Sequence, residues 1–101
     1  GFERFYGFLG GDTSQYEPAL FDQTTPVEPY LGRDDYHLTE DLAERAIDWI
    51  QRQQTSAPGK PFFLYFAPGA THSPHQVWPE WSDRFAGQFD DGWDALRQSI
   101  Y

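Results

Sequence analysis

The chain has 101 residues, with seven Lys and Arg against sixteen Asp and Glu, a formal charge of −9, and neither cysteine nor methionine. That length argues for one small domain rather than two, and the missing cysteine excludes disulfides, thiolate metal sites and a cysteine nucleophile. No cluster of Lys and Arg is available to neutralise phosphates, which excludes a basic face for nucleic acid or for an anionic membrane.

The apolar set is skewed: nineteen residues are Phe, Tyr or Trp, and only twelve are Leu, Ile or Val. A core built from this chain must therefore be organised around aromatic rings, which bury large areas each. Acid is concentrated at the front, with eleven acids against three bases in residues 1–50 and five against four in 51–101. No apolar run approaches the roughly 18 residues that a membrane-crossing helix needs. The opening residues lack the charged-then-apolar character of a signal peptide. An opening at Gly1 that runs straight into aromatics predicts a piece excised from a longer protein, although removal of an initiator would give the same start.

In chain order, residues 1–35 predict a strand and loop followed by a hairpin. Aromatics alternate with Gly7, Gly10 and Gly11 at the start, and Ala19–Asp22 faces Val27–Tyr30 around Gln23-Thr24-Thr25-Pro26, with Pro26 and Pro29 restricting the hairpin to a sheet edge. Residues 39–54 predict a helix. Thr39 is the expected N-cap, Glu40, Asp41 and Glu44 suit the positive end of the helix dipole, and Leu42, Ala43, Ala46, Ile47 and Ile50 share a face. Asp48 and Arg52, four residues apart, add a few tenths of a kcal/mol. Ser56-Ala57-Pro58-Gly59 stops the helix.

Residues 62–67, Phe-Phe-Leu-Tyr-Phe-Ala, are an unbroken apolar run of strand length and predict a strand covered on both faces. A helix leading into such a strand is half of an α/β unit, and in open α/β sheets ligands sit beyond the carboxyl ends of strands. The loop at 68–78, with His72 and His75, is therefore where chemistry is expected. Residues 79–100 read as helical, with a break at Gly87 and an apolar stripe of Trp93, Leu96 and Ile100.

Each candidate site has a plainer counterpart. His72 and His75 supply two nitrogen ligands and no thiolate, which does not fill a zinc tetrahedron without His37 or an acid. As proton or anion handlers they are well placed, because imidazole changes charge near neutral pH; as exposed loop histidines they do nothing. Asp34-Asp35 and Asp90-Asp91 follow no buried strand and suit solvation and helix capping better than a metal. Gly10-Gly11 lacks the strand-Gly-x-Gly-helix context of a phosphate loop. The aromatic excess fits core packing better than a sugar platform.

Four strings carry more: GFERFYGFLGG at 1–11, YHLTEDLAERAIDWI at 36–50, KPFFLYFAPGATHSPHQVWPEW at 60–81 and FDDGWDALR at 89–97. Together they resemble the middle of a bacterial arylsulfatase, of the formylglycine-dependent type I sulfatases in the alkaline-phosphatase superfamily. The resemblance covers nearly the whole chain. It implies an α/β fold, a segment of a mixed sheet flanked by helices. It also implies that His72, in His72-Ser73-Pro74, contacts the sulfate ester and helps to protonate the departing alcohol; nothing carries over to His75 or to Lys60. The family's calcium ligands, its two lysines and its Cys/Ser-x-Pro-x-Arg nucleophile motif are not found here. Ser14, Ser56, Ser73, Ser82 and Ser99 all stand outside that pattern. No cofactor is expected in this segment, with calcium and formylglycine expected in the parent enzyme. The sulfate ester is the parent's expected partner, and the isolated segment is expected to be inactive and to self-associate. The alternatives are a segment of a related phosphonate or phosphodiester hydrolase, or a free-standing acidic binding module.

Overall fold

A computed structural model describes all 101 residues. Tyr6–Gly7 (β1), Leu20–Asp22 (β2) and Thr25–Val27 (β3) form an antiparallel sheet in the order β1-β2-β3. Tyr6 lies opposite Asp22, Leu20 opposite Val27, and Asp22 opposite Thr25. The hairpin is tighter than its sequence suggests: Gln23 and Thr24 alone turn the chain, and Thr25 and Pro26 belong to β3. Pro26 is tolerated there because β3 is an outer strand.

Gln23 takes φ +58°, a left-handed conformation that costs a side-chain-bearing residue about 1–2 kcal/mol. Three hydrogen bonds offset that cost. The Gln23 N–H donates to the Phe5 carbonyl (2.9 Å), Oε1 accepts from the Phe5 N–H (2.7 Å), and Nε2 donates to the Glu3 carbonyl (3.2 Å). A side-chain amide thus extends the β1–β2 pairing by one rung, and the Arg4–Asp22 ion pair (2.8 Å) lies beside it.

The long helix α1 spans Leu38–Ser56. Its N-cap is His37 rather than Thr39, because the His37 imidazole Nδ1 accepts from the Thr39 N–H (3.2 Å) and the helix therefore begins before the threonine. The Thr39 hydroxyl is turned instead to Gln15 Oε1 at 3.4 Å. At the other end Ala57 leaves helical geometry, just ahead of Pro58-Gly59. Leu20, Tyr36 and Leu38 form the core, with Tyr6, Phe8, Val27, Tyr30 and Leu42 packed on it. The core therefore lies between the small sheet and the first turn of α1, and the rest of the helix reaches beyond it.

The expected buried strand at 62–67 is not formed. Those residues are extended but pair with no strand, and all are exposed. The physical reason is a shortage of partners: a strand covered on both faces needs ladder neighbours and covering layers, and β1–β3 supply neither. The strand period survives nonetheless. Phe62, Leu64 and Phe66 are 44%, 39% and 45% exposed, whereas Phe63 and Tyr65 are 74% and 73% exposed. Phe62 meets the Trp49 ring edge-on at 5.5 Å, and Phe63 lies 6.0 Å from Phe2.

Beyond the loop come a short helix, Pro79–Ser82 (α2), a 3₁₀ turn at Asp83–Phe85, and Trp93–Ile100 (α3). The Trp93 and Ile100 stripe on α3 faces solvent. The radius of gyration is 17.6 Å, against about 13 Å for a compact chain of this length. The chain is mixed α/β, closed at its front and open at its back. No helix is long and apolar enough to cross a membrane.

Candidate active-site loop

The 68–78 loop leaves the extended 62–67 run at Pro68-Gly69, and its first turn closes where the His72 N–H donates to the Gly69 carbonyl (2.9 Å). Gly69 lets the loop approach the front half closely: a Cβ there would meet the Phe8 ring at 3.1 Å, tighter than ordinary van der Waals contact. At the far end, the Gln76 side chain reaches the Gly-rich N-terminal loop, where its Oε1 accepts from the Gln15 N–H (2.8 Å) and the Ser14 hydroxyl (3.2 Å). The Gln76 carbonyl pairs with His37 Nε2 at 3.1 Å. Trp78 then packs in a triangle with Tyr16 (5.1 Å) and His37 (5.9 Å).

These contacts assign the three imidazoles different work. His37 is buried, and both its ring nitrogens are engaged. Because Nδ1 accepts from Thr39, the proton sits on Nε2 and is donated to Gln76. His72 is exposed, and its Nδ1 lies 2.7 Å from the Ser73 carbonyl, which can only accept. Nδ1 therefore carries a proton, and Nε2 makes no hydrogen bond. His75 is exposed, and its side chain makes no hydrogen bond. The structure thus separates the two loop histidines that composition treats alike: one ring is oriented by a carbonyl and the other is not.

The acid pairs do not assemble. No group of three His, Asp or Glu residues stands close enough to hold a metal ion. Asp35 is engaged by Arg33 at 3.2 Å, and that hydrogen bond holds its carboxyl below the usual carboxylate range. None of the five serines stands in a Cys/Ser-x-Pro-x-Arg motif.

One buried polar cluster escaped the sequence reading. Asp41, treated there as a dipole partner, is buried, and its Oδ2 accepts from both the Tyr6 hydroxyl (2.5 Å) and the Tyr36 hydroxyl (2.8 Å). Arg45 Nε approaches Oδ1 at 3.4 Å while its guanidinium covers the Tyr6 ring at 5.1 Å. Burial and the Asp41 hydrogen bonds both push the two phenols above their ordinary value. The cluster ties β1 to the start of α1. Gln76 gave no signal at all, since a glutamine in a loop has no pattern that marks it.

A cleft of about 200 Å³ lies beside this end of the loop, lined by Tyr16, Glu17, Arg33, Asp34, Tyr36 and Trp78. It adjoins the His37–Trp78 contact and so shares residues with the anchor of the loop.

Comparison with known proteins agrees over the whole chain. The family described as Sulfatase matches residues 1–101. An arylsulfatase of Klebsiella aerogenes is 30% identical over 110 residues, an alignment that takes in 99% of this chain and 23% of that protein. This chain thus spans about a quarter of the length of that curated relative. No solved structure matches. With the match running from the first residue to the last, the chain belongs to the sulfatase family.

Proposed function

We propose that this chain is the part of an arylsulfatase that presents His72 to the sulfate ester. The observation that carries the reading is the oriented imidazole. Nδ1–H donates to the Ser73 carbonyl, which leaves Nε2 open on an exposed loop directly after the extended 62–67 run. A protonated His72 would give its Nε2 proton to the ester oxygen as the S–O bond breaks, so that the alcohol or phenol leaves neutral. The Ser73 carbonyl fixes the ring plane. Water is the net co-reactant, and inorganic sulfate is the second product. In the parent enzyme the family's formylglycine would supply the nucleophile and its calcium would bind the sulfate charge. The isolated 101 residues are accordingly inactive toward aryl sulfates.

The open aromatic back half supports a segment over a free-standing module, since a closed module of this composition would bury its rings. The same surface, with Phe63, Tyr65 and Trp93 bare, makes self-association of the isolated chain the expected behaviour. The Sulfatase match favours sulfate over phosphonate or phosphodiester esters.

The test is kinetic, in the full-length sulfatase that carries this sequence. His72→Ala lowers kcat on an aryl sulfate by about 10²–10⁴-fold, whereas His75→Ala changes it little. The loss shrinks as the phenol becomes more acidic and needs less help to leave. A loss independent of phenol acidity would reassign His72 to sulfate binding. Equal, small losses from both substitutions would make it an ordinary loop histidine.

A further inference from the structure

We infer that Gln76 is a positioning residue for His72, acting as a clasp that fixes the active-site loop to the folded front half of the chain. The inference rests on the reading of His72 as the residue that meets the ester, and it adds the element that sets where that residue stands. His72 makes one side-chain hydrogen bond, to the carbonyl of its own neighbour, so nothing outside the loop holds it directly. Its position is inherited from the loop.

The loop is held at two points. At Gly69 the hold is packing, the backbone lying close against the Phe8 ring. At Gln76 it is polar and threefold. The side-chain Oε1 takes one proton from the Gln15 N–H and one from the Ser14 hydroxyl, while the main-chain oxygen meets His37 Nε2. The receiving groups are themselves fixed. Gln15 is buried and its carbonyl accepts from the Leu38 N–H at 2.7 Å, and His37 caps α1. The clasp therefore joins the loop to the first turn of the longest helix through two separate routes. The Gln76 N–H turns back to the Pro74 carbonyl (3.0 Å), which carries the constraint to within two residues of His72. Both groups that meet the Gln76 side chain, the Gln15 N–H and the Ser14 hydroxyl, donate, so an acceptor is what the side chain must supply. Displacing a reacting group by about 1 Å can cost on the order of 10²-fold in rate.

The experiment compares Gln76→Ala with Gln76→Glu in the full-length sulfatase, alone and combined with His72→Ala. Glutamate keeps an oxygen for the Ser14 and Gln15 donors; alanine removes it. Gln76→Ala is expected to lower kcat about 10- to 100-fold with KM changed far less, Gln76→Glu to restore most of it, and Gln76→Ala to cost nothing further once His72 is alanine. The imidazole NMR signals of His72 provide a readout that does not depend on turnover. They shift in Gln76→Ala and return in Gln76→Glu. His72 signals unmoved by Gln76→Ala would overturn the clasp whatever the kinetics. So would a Gln76→Ala loss of equal size with and without His72. A small effect of His72→Ala, with His72 signals that still follow Gln76, would instead overturn the acid role and leave the clasp standing.

Discussion

Residues 1–57 and 58–101 carry similar aromatic content and fold differently. Ten of the nineteen aromatic residues lie after Gly59, yet all eight buried residues fall between Gly7 and Asp41. What separates the halves is the satisfaction of polar groups. In the front half no buried side-chain nitrogen or oxygen lacks a partner: His37 caps the helix and Asp41 takes two phenols, while at the surface Gln23 completes the sheet. In the back half the richest apolar run, 62–67, has no ladder to join, and burying an unpaired backbone costs more than its rings return. Apolar content alone does not make a core.

The largest expected contrast is between Leu38, fully buried, and Trp93, 83% exposed. Leu38→Ala should remove about 2–5 kcal/mol of unfolding free energy in a urea titration of this chain. Trp93→Ala should stay within about 0.5 kcal/mol. Comparable losses would mean that the back half packs in solution and that the contrast between halves is wrong.

Next is Asp41. Replacing it with Ala leaves the buried Tyr36 phenol, the half-buried Tyr6 phenol and Arg45 without their acceptor, which should cost about 2–3 kcal/mol by the same measurement. Tyr6→Phe and Tyr36→Phe should each cost about 1 kcal/mol, and the pair together should depart from additivity, because both hydroxyls share one oxygen.

How far the fold could be read from sequence follows from which interactions are local. The helix was legible because Leu42, Ala46 and Ile50 repeat along one stretch of chain, and the hairpin was legible in outline because Pro26 restricts it to a sheet edge, while Pro29 lies beyond β3. The cap at His37, the Asp41 cluster and the Gln76 clasp were not, because they join residues up to 62 apart through single side-chain atoms that leave no periodic trace. The 62–67 run shows the opposite failure. Its strand character is written locally, but strand pairing is a property of two segments, and this chain holds only one of them. His72 falls between: the chain order shows two loop histidines, the His-x-Pro resemblance singles out one, and only that one has a ring nitrogen hydrogen-bonded to a carbonyl.

Alkaline pH sharpens the contrast by acting on the front half alone. Burial, then hydrogen bonding to Asp41, raises Tyr6 and Tyr36 above the ordinary phenol value near 10. Between that value and their higher folded values, the native chain keeps protons that the unfolded chain has released. Their contribution to stability is therefore complete below about pH 10 and is lost as pH rises beyond it. The urea midpoint should be flat in this respect up to pH 10 and fall at pH 11, and the fall should be smaller in Tyr36→Phe. An equal fall in that variant would assign the alkaline loss elsewhere.

The smallest expected effect compares two ion pairs on one helix. Arg45–Asp41 and Arg52–Asp48 share the i, i+4 spacing, at 3.4 Å and 2.9 Å. By distance alone, Arg52 has the better bond. Its surroundings reverse the order: Asp48 is half exposed, so water and salt screen the pair and holding both side chains costs entropy, and Arg52→Ala should change stability by only a few tenths of a kcal/mol. Asp41 is 7% exposed, and Arg45 also covers the Tyr6 ring. Removing Arg45 takes a compensating charge from a buried carboxylate and a lid from an aromatic face, so Arg45→Ala should cost about 1 kcal/mol or more. Raising the salt concentration separates the two further. The Arg52 effect should vanish by about 1 M salt, where charges are screened within about 3 Å, while most of the Arg45 effect persists. If both effects vanish together, Asp41 is more open to solvent than its hydrogen bonds require, and the distinction between a polar-satisfied front and an open back loses its sharpest small-scale support.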